Sequence, residues 1–147
     1  MARTAVAMLK PEGPSRVNRL PLIMCVDDDR GILELLQECL ALHGFEAIGE
    51  SDAERAKDLI ESTDFDALIV DYDMPGCNGL VFSKAVHKEK PRLPILMFSG
   101  TLLPPDALTS ISAFVAKNQG VMALITALER ELSEVVFRPR RRTGSHG

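Results

Sequence analysis

The sequence predicts an α/β domain built on one parallel five-stranded sheet with helices on both faces. Three observations predict it. Short apolar runs alternate with amphipathic stretches five times between residues 20 and 136. Four of the five runs stop at a polar residue: Asp27, Asp71, Ser99 and Lys117. The 147 residues, 46% hydrophobic and 26% charged, suffice for one buried core and little else.

The elements follow in order. Leu22–Val26 is the first strand and ends abruptly at Asp27. Ile32, Leu33, Leu36, Cys39 and Leu40 then recur at helical spacing until Gly44 supplies a stop. Residues 45–48 form a short second strand. Ser51-Asp52-Ala53-Glu54 has the form of a capping box, Ser51 and Glu54 each satisfying a free backbone donor. Ala53, Ala56, Leu59 and Ile60 line the helix that follows. Ala67–Val70 is the third strand, ending at Asp71, and the turn-rich residues 74–79 lead into a helix carrying Leu80, Phe82, Ala85 and Val86. Residues 95–98 are the fourth strand, ending at Ser99-Gly100. Ala113–Ala116 is the fifth and ends at Lys117. Val121, Leu124, Ile125, Leu128, Leu132, Val135 and Val136 share one face of the last helix.

The character of the strands suggests their order. Runs one, three and four are continuously apolar, as buried central strands are, whereas runs two and five carry Glu46 and Ser112, as edges do. That pattern is the flavodoxin-like order 2-1-3-4-5. The carboxyl ends of parallel strands point the same way, and the order switches between strands one and three. Asp27, Asp28 and Asp71 therefore converge there, with Asp73 on the adjoining loop. Converging carboxylates repel one another and favour proton uptake unless a cation relieves them. Magnesium suits a site with two carboxylates, a backbone carbonyl and waters. Lys117 adds a positive charge, Ser99 a hydroxyl, and the small Gly100 leaves the approach open. In such a site one carboxylate can act as a nucleophile toward phosphorus while metal and lysine neutralise the developing charge.

Charge narrows the function classes. Residues 1–20 carry four basic residues against one acid, and residues 138–147 carry four arginines and no acid. The body between them holds 9 basic and 20 acidic residues. An acidic body of this kind excludes a specific nucleic-acid surface. The basic ends are expected to be a flexible leader over 1–19 and a flexible basic tail over 137–147, flanking a domain over 20–136. Three cysteines, Cys25, Cys39 and Cys77, are few, odd in number and unpatterned, which argues against a disulfide scaffold or zinc site and suits a reducing cytoplasm. No apolar run is long enough for a membrane span or a secretory signal.

These residues resemble the receiver domain of bacterial two-component response regulators, in its stand-alone, CheY-like form. The resemblance covers residues 20–136. It rests on Val26-Asp27-Asp28, on Leu68-Ile69-Val70-Asp71 with Met74-Pro75-Gly76 and Gly79 after it, on residues 94–100, and on Phe114-Val115-Ala116-Lys117. It implies that Asp71 accepts a phosphoryl group from a sensor histidine kinase or a phosphotransfer protein. It implies that Asp27 and Asp28 organise Mg²⁺ with Asp71 and the backbone carbonyl of Asp73. Ser99 and Lys117 take the positions of the hydroxyl and the lysine that contact the phosphoryl group, and Phe114 that of an aromatic switch. Phosphorylation adds about −1.5 to −2 charge at a site already crowded with carboxylates, and drawing in Ser99 and Lys117 biases a two-state surface near strands four and five. Signalling then works through altered partner binding, as a monomer or weak homodimer in the cytoplasm, and the chemistry is self-phosphorylation and self-dephosphorylation rather than turnover of a metabolite.

Three features depart from the family pattern. Asn118 replaces the proline that follows the lysine, so the junction is expected to be either a trans bond with a re-aimed loop or a strained exception. Only residues 101–111 separate Gly100 from the fifth strand, and Pro104-Pro105 disfavours a long helix, so the fourth helix is expected to be short or missing. Asp73 is acidic where the family varies and is expected to affect phosphate lifetime. After Val136 too few residues remain for a DNA-binding module. Two other readings compete. A phosphorylation-independent binding module is motivated by the Asn118 junction and the reduced helix. A haloacid-dehalogenase-like phosphatase is suggested by Asp71-Tyr72-Asp73, though it leaves Asp27 and Asp28 unexplained and meets Pro75 where a hydroxyl residue belongs.

Overall fold

The computed structural model describes residues 19–137. The expected leader and basic tail lie, save for their innermost residues, outside that range. Five parallel strands form one sheet: β1 (Leu22–Val26), β2 (Glu46–Glu50), β3 (Ala67–Val70), β4 (Ile95–Ser99) and β5 (Ala113–Ala116). Their order across the sheet is β2-β1-β3-β4-β5, with every pairing parallel. This is the flavodoxin-like topology expected from the strand character. The residues of β3 and β4 are buried throughout, and those of β1 from Ile23 onward, while edge strand β2 has no fully buried residue and β5 only one.

Two-residue alternation along the central strands divides the core. Ile23, Cys25, Ala67, Ile69, Leu96 and Phe98 face α1 (Arg30–Leu42) and α4 (Val121–Phe137), meeting Leu33, Leu36 and Leu40 of the first and Leu124, Ile125 and Leu128 of the second. Met24, Val26, Leu68, Val70, Ile95 and Met97 face the other way, against Ala56 and Ile60 of α2 (Ala53–Ser62) and Phe82 and Val86 of α3 (Gly79–Glu89). Burying such side chains supplies the main drive for folding, about 1.5–3 kcal/mol each.

The first three helices each start on a side-chain cap. Asp29 accepts from the Gly31 and Ile32 amides, and Asn78 from those of Leu80 and Val81. The α2 cap is Asp52, not Ser51 as the capping-box reading held: Asp52 takes the Glu54 and Arg55 amides. Its amide in turn donates to the Glu50 carboxylate, so the helix begins one residue later. Lys90, just past α3, donates to the Ile60 carbonyl at 2.5 Å and ties the end of α2 to its neighbour.

Between β4 and β5 the long helix is missing among the described residues, as expected. Pro104 is held extended by the proline that follows it, and only a 3-10 turn, Pro105–Thr109, forms. Ala107 and Ile111 anchor this segment, while Leu102 and Leu108 are exposed. The sequence reading did not include a hairpin of Asp73–Met74 with Cys77–Asn78. Its Pro75-Gly76 turn places Gly76 at φ +73°, the type II pattern.

Gly79, where α3 begins, is the tightest backbone contact of the fold. A Cβ there would lie 2.0 Å from the Asp71 carbonyl oxygen and 2.8 Å from the Tyr72 Cα. The Gly79 amide donates to the Tyr72 carbonyl at 2.7 Å. Gly79→Ala is expected to cost about 2 kcal/mol or more, lowering Tm by roughly 6 °C or more. Gly100→Ala, with nothing within 4 Å of the added Cβ, is expected to change Tm by less than about 2 °C. Thermal denaturation of the two variants checks both.

Candidate functional site

The register of the two central strands sets Asp27 and Asp71 side by side. Val26 pairs with Val70, and the Asp71 amide donates to the Val26 carbonyl at 2.9 Å. Both aspartates are buried, and Asp28 beside them is exposed. One carboxylate oxygen from each of Asp27, Asp28 and Asp71 lies within 4.8 Å of the others. The run Asp27-Asp28-Asp29 divides its labour, because the third caps α1 and leaves the first two for the site. Asp27 Oδ1 accepts the Asp29 amide at 2.9 Å, which fixes its carboxylate plane.

Lys117 leaves β5 and reaches across the end of the sheet. Its Nζ donates to Asp27 Oδ2 at 3.0 Å and lies 3.4 Å from Asp71 Oδ1. Ser99, the last residue of β4, is fully buried, and its Oγ accepts the Thr101 amide at 3.0 Å. The Thr101 hydroxyl donates to Asp73 Oδ2. Asp73 lies on the hairpin and shares an open cleft with Asp28, Tyr72 and Asn78. Phe114 is half-buried on β5, opposite Met97 of β4, within the core on the α2–α3 side. The structure thus brings Asp27, Asp28, Asp71 and Lys117 together. Ser99 and Asp73 stand beside them, linked through Thr101, and Phe114 is set apart in the core. Thr101 was absent from the sequence reading, since an exposed threonine in a loop carries no periodic signal. The Asp29 cap was likewise absent from it, although an aspartate three residues before the first apolar helical position is a signal that could have found it.

The Lys117–Asn118 bond is trans, as are all described peptide bonds. Of the two outcomes expected for a junction without proline, the chain adopts the first, with Lys117–Gln119 wound into a 3-10 turn.

The electrostatics follow from this crowding. Burial, then the Asp27 charge, push the Asp71 carboxyl up to about 6 against the opposing pull of Lys117, with Asp28 adding a smaller push. Burial works to lower the Lys117 ammonium, but its hydrogen bond to Asp27 and the charges of Asp27 and Asp71 outweigh that and raise it. Burial, helped by Asp27, drives the Cys25 thiol up to about 12, so it is no thiolate nucleophile. The acidic groups suit a hard divalent cation by donor chemistry: all offer carboxylate oxygen, and they exceed the one lysine in charge.

Residues 23–129 match the family model of the response regulator receiver domain. The chain belongs to that family, whose members are signalling domains of two-component systems rather than classical enzymes. It is similar to the transcriptional regulatory protein CpxR of Escherichia coli (strain K12), 38% identical over 77 residues that cover 52% of this chain and 32% of that protein. The uncharacterized transcriptional regulatory protein YrkP of Bacillus subtilis (strain 168) is 32% identical over 101 residues, covering 69% of this chain and 38% of its own. The matches therefore span about a third of the length of these relatives. Among solved structures, the response regulator protein TrrA from Thermotoga maritima, in complex with Mg(2+)-BeF, matches with TM-score 0.72 and 25% identity over 76% of this chain and 99% of that one. A CheY-like receiver domain protein from Methanospirillum hungatei JF-1 shares the fold at TM-score 0.73 and 23% identity, over 79% of this chain and 96% of its own. Family membership sets aside the haloacid-dehalogenase-like alternative. No helix among the described residues is long and apolar enough to cross a membrane.

The raised Asp71 pKa has a stability consequence. Between an unfolded value of 3.8 and a folded value of about 6, the native state binds more protons than the unfolded one. Stability therefore falls as pH rises through that window, and the penalty persists above it. Asp71→Asn removes the ionisable group. With divalent cations chelated, the variant is expected to melt a few degrees above the wild type at pH 7.5, and this advantage is expected to shrink toward zero near pH 4. Tm measured across that range checks the sign.

Proposed function

We propose that this receiver domain accepts a phosphoryl group on Asp71 from a histidine kinase or a phosphotransfer protein, in a Mg²⁺-dependent step, and signals through changed partner binding. The observation that carries this reading is the convergence of Asp27, Asp28 and Asp71 with Lys117 at one end of the sheet, in a chain of this family.

Asp71 is the better nucleophile of the buried pair. Asp27 has Oδ1 committed to the Asp29 amide and Oδ2 to Lys117, whereas Asp71 meets the lysine only at 3.4 Å. An Asp71 carboxylate oxygen attacks phosphorus, an acyl-phosphate O–P bond forms, and the bond from phosphorus to the donor's nitrogen or oxygen breaks with its electron pair leaving on the donor. Asp27, Asp28 and Asp71, with the Asp73 backbone carbonyl, would hold the Mg²⁺. When bound, the ion offsets carboxylate repulsion and the charge that develops on the phosphoryl oxygens. Lys117 supplies the fixed positive charge on the other side and remains beside the product.

The signal follows from the bonds the product competes for. The Ser99 hydroxyl is held by the Thr101 amide, and Thr101 by Asp73. New phosphoryl oxygens attract the Ser99 hydroxyl and strain that link, which ties the end of β4 to the hairpin. Met97 on β4 stands opposite Phe114 on β5, so a shift of Ser99 reaches Phe114 and the surface around it. The soluble partner of that surface is a protein target downstream of the kinase.

Incubation with acetyl phosphate and Mg²⁺, read by intact-protein mass, tests the reading. The wild type is expected to gain one phosphoryl group, and Asp71→Asn or chelation of Mg²⁺ to abolish the gain. Lys117→Ala is expected to slow it by roughly tenfold or more. A wild type that takes up no phosphoryl group under conditions that trap short-lived adducts would overturn the proposal and favour a phosphorylation-independent module.

A further inference from the structure

The position of Lys117 is demanding. Its ammonium must meet Asp27, which follows β1, yet β5 lies three strands from β1. Strands are spaced about 4.8 Å apart, so a lysine stem bridges the gap only if the backbone at residue 117 turns back over the sheet. Asn118 has no ring to fix that turn and donates no side-chain hydrogen bond to it. Two bonds close it instead. The Gly120 amide donates to the Lys117 carbonyl at 3.1 Å. The Gln119 Oε1 accepts the Ala116 amide at 2.9 Å, clasping the residue before the lysine to the residue two after it.

We propose that Gln119 is a positioning residue for the phosphoryl-transfer site: its carboxamide closes the Lys117–Gln119 turn and so aims the Lys117 ammonium at Asp27 and Asp71. The inference rests on Lys117 acting as proposed above, and it assigns to an exposed glutamine a role that its surface position hides. Ala116 itself pairs with Ser99 across the sheet, so the same clasp fixes the strand end that precedes the lysine and lies beside Ser99. Loss of the clasp leaves the turn closed by the Gly120 amide alone and does not touch the core, because Gln119 is exposed.

Lysine acetylation by acetic anhydride, quantified by peptide mass on the folded protein, tests this without reference to phosphorylation. An ion-paired Lys117 reacts slowly. Gln119→Ala is expected to raise the Lys117 labelling rate about threefold or more, with Lys57 and Lys84 unchanged as internal references. Gln119→Glu retains the acceptor oxygen and is expected to return Lys117 labelling toward the wild-type rate. In parallel, Gln119→Ala is expected to slow phosphorylation by acetyl phosphate about threefold or more, at temperatures well below its Tm. Equal Lys117 labelling in wild type and Gln119→Ala overturns the positioning role. So does a change in all lysines together, which marks general loosening. If the wild type takes up no phosphoryl group, the functional reading fails, and the labelling rates still decide whether Gln119 aims the lysine.

Discussion

Three carboxylates gathered at one end of a parallel sheet repel one another, and the surrounding structure holds them there. Adjacent parallel strands with buried, apolar interiors leave Asp27 and Asp71 no freedom to separate, because Val26 and Val70 are locked in register. Among the described residues the repulsion is offset from one direction only. Lys117 stands between Asp27 and Asp71, and its single charge does not balance three. Burial first, and then the unbalanced charge of Asp27, raises the Asp71 pKa. A site of this kind is charged to attract a hard cation, and the fold bears its cost through the core on both faces.

The neighbouring elements serve that gathering. Asp29 caps α1 and so releases Asp27 and Asp28 from capping. Gly79 lets α3 begin against the carbonyl of Asp71 itself, so the helix start and the candidate nucleophile are fixed together. Thr101 joins Ser99 to Asp73 and spans the mouth of the site from the end of β4 to the hairpin. These contacts are short-range and polar, and each lies where a strand ends. The core supplies rigidity, and the strand ends supply the chemistry.

Much of this was legible in the sequence, for reasons that can be named. The continuous apolar runs at Leu22–Val26, Ala67–Val70 and 95–98 marked central strands because both their faces are buried, and Glu46 and Ser112 marked the edges. Once the strand order was set, the convergence of Asp27, Asp28 and Asp71 followed from parallel geometry, whereas the reach of Lys117 from β5, three strands from β1, depends on the turn that follows it. Pro104-Pro105 correctly foretold the lost helix. What escaped was set by single hydrogen bonds rather than by patterning. Asp52 rather than Ser51 caps α2, since both are good caps and the choice turns on the neighbouring Glu50 carboxylate. The small hairpin, Thr101 and Gln119 depend on loop torsions that leave no periodic trace.

The gathering of Asp27, Asp28 and Asp71 is most directly tested as a single cation site. A Mg²⁺ titration of the wild type, followed by amide NMR shifts at pH 7.5, measures it. The predicted result is a saturable change with one ion per chain, concentrated at residues 27, 28, 71 and 73 and lost in Asp27→Asn. Shifts that fail to saturate, or that spread over the acidic surface and survive Asp27→Asn, would contradict it.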